Sequence, residues 1–561
     1  MENTKIKDSF SKIKNGFDNH IEENLDAERV LDKFLKWLDS NKRLAFLLTL
    51  IVGIITHITM ITETIMSQDG LWNSMGYNRP GLWEMTLGRW GIEIMQRFNF
   101  YIAIPTVSTI SCVLIMAISA IFIVDLFDLK SKISVFFTAV FLAVTPTLTV
   151  TLLYIYTAFA YCSNFLIATL VIWFIYKFKY KKIGFIISTC LFMLVLSIYQ
   201  SYIGVSVGLC IMLTIIDLIK GKKKLKEIFL NVLKTIVVVI LGGLLYYGTT
   251  MILLEVNKLS LAEYKNLNSF KISDILINLW NDIKNCYRDF YDFYMKDRII
   301  YNTNYRRDIF YGLFFIMFAA IAIINLVKVQ ADSKKIKYSK IVLVILLILV
   351  LPIGLNCINV LVVGNTLYAL TSIQMILIIP FLFAMTEQIQ KIALTKWILI
   401  LTCFYLIGTY YIADNASYAS LKMRYNQAYA VSIRIMERLE STHGYDKNNP
   451  LCIGGIIGDN NYPNVSELTD YSIGSVFENP IFHGSYQGSI GTMHQFLKIF
   501  LGQDIAFCSD ELYEYIVRSK EFEQLGNFPE DNCTAIISGV NVIKLSNYIP
   551  LPDGTLLFEE Y

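Results

Sequence analysis

The sequence predicts a mainly α-helical, polytopic membrane protein with about eleven transmembrane helices and a C-terminal exterior α/β domain. Of its 561 residues, 55% are hydrophobic and only 17% are charged, and the mean hydropathy is +0.50. Average soluble domains carry about 25% charged residues. The composition therefore excludes a soluble globular protein.

Apolar runs that are long enough to cross a membrane recur between residues 44 and 412, which we take as the transmembrane domain. A helix needs roughly 20 residues to cross about 30 Å of hydrocarbon. The runs are residues 44–66, 101–127, 133–150, 152–176, 183–198, 201–219, 229–254, 309–327, 341–363, 367–385 and 397–412.

Lysine-rich segments lie on every second connection between these runs. They are Lys130 with Lys132, YKFKYKK (176–182), IKGKKKLK (219–226), KVQADSKKIKYSK (328–340) and QKIALTK (390–396). Because positive loops stay in the cytoplasm, the alternation predicts a cytoplasmic N-terminus. It also predicts that residues 67–100, 255–307 and 413–561 lie outside.

The first 43 residues lack the short apolar core and cleavage site of a secretory signal, so the first span is predicted to be an uncleaved signal. Apolar side chains recur at helical spacing in this segment, at Ile6, Phe10, Ile13, Phe17 and Ile21. This spacing predicts an amphipathic helix on the inner membrane surface; a coiled or partner-binding tail is the alternative. Lysines and acids balance here, so nucleic-acid binding is not expected.

Residues 413–561 differ in composition from the spans and predict a small exterior α/β domain. Predicted helices and strands alternate there: helical residues 416–442, strand-like residues 451–457, helical residues 493–502 and 510–518, and strand-like residues 534–545. The domain holds Cys452, Cys508 and Cys533, which allow one disulfide and one free thiol. The histidines of the chain show no metal-ligand spacing, so no metal site is predicted.

The loop after the first span, SQDGLWNSMGYNRPGLWEMTLGRWG (67–91), is unusually polar for this chain. Asp69 follows the span by a few residues, so its carboxylate is expected near the outer membrane face. A partly shielded carboxylate is costly unless it is partnered, which makes it a candidate functional group. The alternative is a helix cap or an ion pair with Arg79, Arg89 or Arg97.

Residues 81–98 of the same loop predict a helix that lies along the membrane interface. Leu82, Met85, Ile92 and Phe98 fall on one roughly helical stripe with Trp83 and Trp90. Arg89 and Arg97 would then face headgroups or a phosphate, because a guanidinium matches phosphate oxygens two at a time. An ordinary interfacial aromatic belt is the alternative for the tryptophans.

Four motifs resemble one family of membrane enzymes over most of the chain. They are QDG (68–70), GRWG (88–91), LSIYQSYIG (196–204) and NFPEDNCTAIISGVNVIKLS (527–546). With the architecture, they resemble the Gtr-type glucosyltransferases of the GT-C class, which modify bacterial O-antigen and related surface polymers. The resemblance implies a multi-pass protein of the bacterial cell membrane. It would move a hexose, glucose, from an undecaprenyl-phosphate carrier to a cell-surface glycan acceptor on the outer side.

The resemblance also implies roles for individual residues. Asp69 would be the general base of an inverting displacement. Cations would bind the donor phosphate, in the order Arg89, Arg79, and then Arg306 or Arg307. Many relatives carry two adjacent acids at this loop, whereas Gln68 precedes Asp69 here. No cofactor is certain, and this departure weakens the case for a divalent cation, Mg²⁺ or Mn²⁺, held by paired carboxylates.

Candidate sugar- and acceptor-binding residues complete the predicted site. They are Trp72, Trp83, Trp90, Tyr199, Gln200, Tyr291 and Asp292. Tyr199 and Gln200 could instead cap neighbouring helices. For Tyr291 and Asp292 the alternative is a packed amphipathic helix face.

Two other classes of protein remain open on the sequence alone. A transporter or flippase of lipid-linked glycans predicts ionisable residues at mid-membrane and paired broken helices. The spans offer only Glu63 and Asp125, each near a span end. A non-catalytic assembly protein would hold a surface polymer through residues 413–561.

Overall fold

The protein is mainly α-helical in this computed structural model, as the sequence predicts. The structure describes residues 27–73, 76–178, 180–262, 272–295, 305–331, 337–361, 369–389, 393–457, 473, 481 and 486–557. The predicted N-terminal stripe from Ile6 to Ile21 lies outside the described residues. The last part of that segment forms helix α1, Ala27–Trp37.

The remaining helices before the C-terminal sheet follow in chain order. They are α2 Ser40–Thr56, α3 Ile58–Thr62, α4 Gln68–Trp72, α5 Leu82–Thr86, α6 Gly91–Phe98, α7 Pro105–Phe127, α8 Lys132–Ala143, α9 Pro146–Leu153, α10 Ala158–Tyr176, α11 Lys181–Ile198, α12 Ile203–Lys220, α13 Leu225–Val256, α14 Ile272–Met295, α15 Tyr305–Ala331, α16 Lys337–Leu355, α17 Ile358–Leu361, α18 Ile378–Thr386 and α19 Ala393–Glu440. Short 3₁₀ turns span Gln200–Tyr202, Ala369–Thr371 and Ile373–Leu377, and strands β1 Gly76–Tyr77 and β2 Ile102–Ala103 pair antiparallel.

Many of these helices can cross a membrane. Within the described residues, eight are long and apolar enough: Pro105–Phe127, Lys132–Leu153, Ala158–Tyr176, Lys181–Ile198, Gln200–Lys220, Leu225–Val256, Asp308–Val327 and Ala393–Glu440. Shorter apolar helices, Lys340–Leu355 and Ile373–Thr386, fall on two further predicted spans. The protein is therefore a polytopic membrane protein, and the count of eleven spans stays a prediction.

Two of the apolar runs are broken helices. The first run divides into α2 and α3 at His57, and the run that starts at residue 133 divides into α8 and α9 before Pro146. Proline lacks an amide hydrogen and disfavours a helical conformation in the residue before it. Thr145 is accordingly extended, with φ −68° and ψ 128°. Each break releases backbone groups that need other partners.

His57 joins the two breaks through both of its ring nitrogens. Its Nε2 lies 3.0 Å from the Ala143 carbonyl oxygen, and its Nδ1 lies 2.8 Å from the Tyr418 hydroxyl. Nε2–H therefore donates to Ala143, and the Tyr418 hydroxyl donates to Nδ1. Lipid offers no partner to a free carbonyl, so such a group must be satisfied inside the protein. His57, which is fully buried, does this at the α8 break.

The long helix α19 contributes further buried polar side chains near the two breaks. Asp414 is fully buried and accepts a hydrogen bond of 2.7 Å from the Thr149 hydroxyl of α9. The sequence predicts that the exterior domain begins at residue 413, but α19 runs unbroken through that position. A composition change marks the boundary there, whereas the helix itself passes from the bundle into the C-terminal region.

Acids and lysines pair at one end of the bundle, which we call the lysine end. Asp125 lies 3.0 Å from the Lys42 ammonium and accepts a 2.8 Å hydrogen bond from the Trp173 indole. Asp128 lies 3.4 Å from the ammonium of Lys220. Asp125, which the sequence alone leaves as a marginal intramembrane acid, thus has a cationic partner.

The described residues after α19, called the C-terminal unit, form a small α/β arrangement. Strands β3 Leu451–Gly454, β4 Thr534–Ile537 and β5 Val540–Lys544 make a sheet in the order β3-β5-β4. β3 runs parallel to β5, and β4 runs antiparallel to it. The helices are α20 Tyr486–Phe496, continued by a π-helical turn at Leu497–Leu501, α21 Asp510–Val517 and α22 Lys520–Glu523.

The sequence predicts one strand over residues 534–545, and this prediction is wrong in detail. The segment forms the two strands β4 and β5, joined by a turn at Ser538 and Gly539. Both turn residues have positive φ, 52° and 75°, as the two-residue hairpin turn that matches strand twist requires. The apolar residues continue on both sides of Ser538 and Gly539, so the sequence pattern alone does not indicate the turn.

We expect His57→Ala to lower the free energy of unfolding by about 1–3 kcal/mol, because it leaves a buried carbonyl and a buried hydroxyl without partners. The measurement is the thermal unfolding midpoint of the purified protein in detergent. His443→Ala is the matched control, since His443 is exposed in a turn and should be neutral. Equal midpoints for the two variants would contradict the capping role of His57.

Candidate functional site

Residues 67–100 cover one end of the helix bundle, which we call the loop end. The Ser67 amide and hydroxyl both donate to the Leu153 carbonyl at the end of α9, each at 3.1 Å. The Trp90 indole donates to the Thr250 hydroxyl of α13 at 3.0 Å, and the Gln96 side-chain amide donates to the Tyr156 carbonyl. The loop is therefore fixed to the bundle at several points.

The predicted single helix over residues 81–98 is wrong, because α5 and α6 are separate helices. They divide at Gly88, whose φ is +70°. A Cβ on Gly88 would lie 2.3 Å from the Tyr246 hydroxyl of α13. The close approach of a distant helix, together with a φ that favours glycine, breaks the apolar stripe and turns the chain immediately before Arg89.

Asp69 lies in the first turn of α4, with an exposed side chain. Ser67 is the N-cap of this short helix and accepts a 3.1 Å hydrogen bond from the Gly70 amide. The opposite face of α4 is buried through Gly70 and Leu71. The carboxylate is thus exposed on a helix whose other side is anchored.

Helix α19 and the C-terminal unit both contact the chain at this helix. The Tyr425 hydroxyl of α19 donates to the Met66 carbonyl at 3.0 Å, and α20 contacts α4. At Gly491 of α20, a Cβ would lie 3.0 Å from ring atoms of Trp72. Trp72 remains 46% exposed. One face of its indole is therefore supported by α20, and the remaining surface lies on the same short helix as Asp69.

Arg89 lies half-buried just after the Gly88 turn. Its guanidinium carbon is 4.7 Å from the centre of the Tyr199 ring, and that ring stacks on Tyr161 at 4.7 Å. Among the described residues, Arg89 has no carboxylate partner, and its buried Nε has no hydrogen-bond partner. A half-buried cation on an aromatic surface without an acid beside it is a site suited to an anion.

The other arginines of the loop are paired. Arg79 and Arg97 lie 3.5 Å and 3.4 Å from the Glu93 carboxylate, and both side chains are 65% exposed. The Tyr101 hydroxyl also donates to Glu93, at 2.8 Å. The two exposed arginines therefore share one carboxylate. Arg306 and Arg307 begin α15, and their side chains lie outside the described residues.

Gln200 fixes the chain on the other side of the Gly88 turn. Its side-chain amide donates to the Leu87 carbonyl at 3.2 Å and to the Tyr246 hydroxyl at 3.0 Å. Its Oε1 is buried and has no hydrogen-bond partner within the described part of the chain. The amide nitrogen thus has the capping role that the sequence allows, while the carbonyl oxygen can still accept a hydrogen bond.

Tyr156 and Glu84 are members of the site that sequence reasoning missed. Tyr156 lies between α9 and α10, where burial raises the pKa of its phenol well above the usual value and negative charge on Asp69 and Glu84 adds to the rise. The phenol therefore stays protonated and can donate a hydrogen bond. The signal in the sequence is the aromatic run YIYTAFAY (154–161) at the ends of two spans.

Tyr156 and Tyr161 each lie near charged groups of the loop. Tyr156 lies within electrostatic range of Asp69 and Glu84, and Tyr161, at the start of α10, lies within range of Arg89 and Glu84. Asp69, Glu84 and Arg89 therefore act on the tyrosines of residues 154–161 at the loop end.

The remaining predicted binding residues lie in different settings. Trp83 is 55% exposed, whereas Trp90 is buried and bonded to Thr250 as a packing residue. Tyr291 is exposed and Asp292 is fully buried on α14, which packs against α15, α16 and α17. Within the described residues, no group of three or more His, Cys, Asp or Glu could hold a metal ion.

Comparison with protein families gives a match over the first part of the chain. A family model described as Glucosyl transferase GtrII matches residues 59–385, which is more than half of the chain. The matched region includes Asp69, Arg89, Tyr199 and Gln200, and it ends before α19. No curated protein and no solved structure matches the chain significantly.

We expect Gly88→Ala to lower the free energy of unfolding by about 1–3 kcal/mol. An alanine at this position would be strained by the positive φ, and its methyl group would displace the Tyr246 hydroxyl. The measurement is the unfolding midpoint followed by tryptophan fluorescence. Gly248→Ala is the matched control: this glycine is on the same helix as Tyr246, and open space surrounds it. The control should be neutral or slightly stabilising. Equal effects of the two substitutions would contradict the proposed importance of the turn.

Proposed function

Since the chain belongs to the GtrII glucosyl transferase family, we propose that this membrane glucosyltransferase takes glucose from an undecaprenyl-phosphate carrier and transfers it to a cell-surface glycan acceptor. The observation that carries the proposal is the setting of Arg89. A guanidinium presents donors that match phosphate oxygens, and this one lies on Tyr199 without an acidic partner among the described residues. A donor phosphate would supply the missing negative charge.

The surroundings of Arg89 favour a lipid-borne phosphate. Tyr246, which contacts the Gly88 turn, belongs to α13, and apolar side chains on that helix are strongly exposed. Ile240, Leu244 and Tyr247 are 55%, 64% and 60% exposed. In a membrane such a surface faces acyl chains. A prenyl chain could therefore lie along α13 while its phosphate reaches Arg89.

Asp69 is the proposed general base. It would accept the proton of an acceptor hydroxyl as that oxygen bonds to the anomeric carbon, and the bond from that carbon to the phosphate oxygen would break. The configuration at the anomeric carbon inverts, and the phosphate leaves with its charge. Arg89 would stabilise that charge, since cations already in position contribute strongly to catalysis. The protonated Tyr156 phenol would donate to a sugar or phosphate oxygen.

The loop end is proposed to face the outside of a bacterial membrane. Lysines cluster at the opposite end, where Lys42 and Lys220 pair with Asp125 and Asp128, and positive loops favour the cytoplasm. The C-terminal unit, which contacts the loop through α20, would then lie outside. This side suits an acceptor glycan that is too large to enter the bilayer.

The broken helices and the buried Asp414 are features that a transporter also predicts. His57 accounts for the α8 break without transport, because it donates to the Ala143 carbonyl and accepts from Tyr418. An assembly protein without activity would not need the Arg89 site. We therefore favour glucosyl transfer over both alternatives.

We expect Asp69→Asn to lower kcat for glucosyl transfer by about 10²–10⁴-fold, because a general base contributes that much, with little change in donor binding. The measurement is transfer of labelled glucose from polyprenyl phosphate in detergent. Asp531→Asn, at a 94% exposed aspartate of the C-terminal unit, is the matched control and should retain activity. An undiminished kcat in Asp69→Asn would refute the assignment of the base.

We expect Arg89→Ala to weaken binding of the polyprenyl-phosphate donor by about 10-fold or more, because hydrogen bonds to charged groups contribute about 1.5–3 kcal/mol. KM for the donor and direct binding of polyprenyl phosphate both report this change. Arg97→Ala is the control, since Arg97 is exposed and pairs with Glu93. Equal KM values for the Arg89 variant and the wild type would refute the assignment of Arg89 to the donor phosphate. Solute transport into liposomes, in the absence of any glucosyl transfer, would favour the transporter alternative.

A further inference from the structure

Two cysteines of the C-terminal unit lie side by side on neighbouring extended segments. Leu451 of β3 forms a parallel bridge with Phe507. The Leu451 amide donates to the Ala506 carbonyl at 2.8 Å, and the Cys508 amide donates to the Leu451 carbonyl at 3.0 Å. The next residues along the two segments are Cys452 and Cys508. In a parallel pair, opposed residues point to the same face, so these two side chains face the same way.

The spacing suits a covalent bond between them. Neighbouring strands lie about 4.8 Å apart, and disulfides join Cα atoms that are roughly 4.4–6.8 Å apart. Both side chains contribute to one small apolar core, which Cys452 shares with Tyr513 and Phe522 and against which Cys508 packs. The two thiols contact each other in the structure.

We propose that Cys452 and Cys508 form a disulfide in the mature protein and that Cys533 remains a free thiol. The proposal rests on the outer placement of the C-terminal unit given under the proposed function, because disulfides form and persist in oxidising compartments. It states which two of the three cysteines form the disulfide, a pairing that their spacing along the chain leaves open.

The chemistry requires an external disulfide as the oxidant, either a thiol–disulfide oxidoreductase or a small disulfide. The Cys508 thiolate attacks one sulfur of that disulfide and expels a thiolate. Cys452 then attacks the Cys508 sulfur and expels the second thiolate. The two cysteine protons pass to the two leaving thiolates, so two protein thiols and one disulfide give a protein disulfide and two thiols.

The electrostatic setting supports Cys508 as the attacking group. The hydrogen bond from the Cys452 thiol lowers the pKa of Cys508, whereas the same contact and burial raise the pKa of Cys452 well above its usual value. Cys508 is also the more accessible of the two, since it is half-buried and Cys452 is fully buried. An external disulfide therefore reaches Cys508 first.

The bond would fix the ends of the segment that supports the candidate base. The segment between the two cysteines contains α20, and Gly491 of α20 packs on the Trp72 ring of the Asp69 helix. A crosslink of the segment ends restricts the unfolded chain and so favours the folded arrangement of α20. The disulfide would in this way help to hold α4 in place.

The test lyses cells directly into denaturant that contains N-ethylmaleimide, so that every free thiol is labelled, including the buried Cys533, before the full-length protein is purified. The protein is then denatured, reduced and labelled with iodoacetamide, and the labelled peptides are identified by mass. We expect iodoacetamide on Cys452 and Cys508 and N-ethylmaleimide on Cys533. In Cys452→Ser, Cys508 should carry N-ethylmaleimide, and in Cys533→Ser both Cys452 and Cys508 should still carry iodoacetamide.

N-ethylmaleimide on both Cys452 and Cys508 of the wild type would overturn the proposal. Treatment of the purified protein with oxidised glutathione then identifies the cause. Formation of the bond only under that treatment would mean that the compartment is reducing and that the outer placement is wrong. No bond under either condition would mean that the side-chain geometry is wrong. Glucosyl transfer is assayed on the same preparations, so loss of the disulfide proposal and loss of the proposed function are distinguishable.

Discussion

The candidate site depends on one interaction, the placement of the Arg89 guanidinium over the Tyr199 ring. A partly buried charge costs several kcal/mol unless its surroundings compensate for the loss of water. Here the aromatic face, supported from behind by Tyr161, provides part of that compensation. Gln200 and the Gly88 turn hold the backbone on which Arg89 is carried. No acid pairs with this cation among the described residues, whereas the exposed Arg79 and Arg97 both pair with Glu93.

The position of Asp69 depends on parts of the chain that are distant in sequence. The backbone around it is bound by Leu153 of α9 and by Tyr425 of α19, and α20 covers one face of Trp72. Both α19 and α20 lie beyond residues 59–385, the region that matches the family model. The C-terminal unit thus supports the candidate base directly, and α19 links it to the bundle as one continuous helix. Changes where α20 contacts Trp72 are therefore expected to affect the position of Asp69.

Apolar run length was enough to predict a mainly α-helical membrane protein, because it depends only on the thickness of the bilayer. Asp69 and Arg89 could also be singled out, since both lie in a polar loop next to a span. Contacts between distant residues could not be predicted. The break at Gly88 arises from the approach of Tyr246, and the burial of Asp414 from its contact with Thr149. Trp90 resembles an interfacial tryptophan in sequence, and only its bond to Thr250 identifies it as a packing residue. Tyr156 was missed for the same reason, since an aromatic residue at a span end is ordinary.

The reaction proposed for this site is an inverting displacement. Such a reaction needs the base and the leaving group on opposite sides of the anomeric carbon. Arg89 is half-buried near α13, whose outward apolar side chains are exposed, whereas Asp69 is exposed on α4 beside the C-terminal unit. Tyr156 is within electrostatic range of Asp69 and Glu84, and Tyr161 is within range of Arg89 and Glu84. A sugar held between the two groups would have its phosphate toward the lipid and its open face toward water. The lipid donor and the aqueous acceptor could then reach the same carbon without sharing a path.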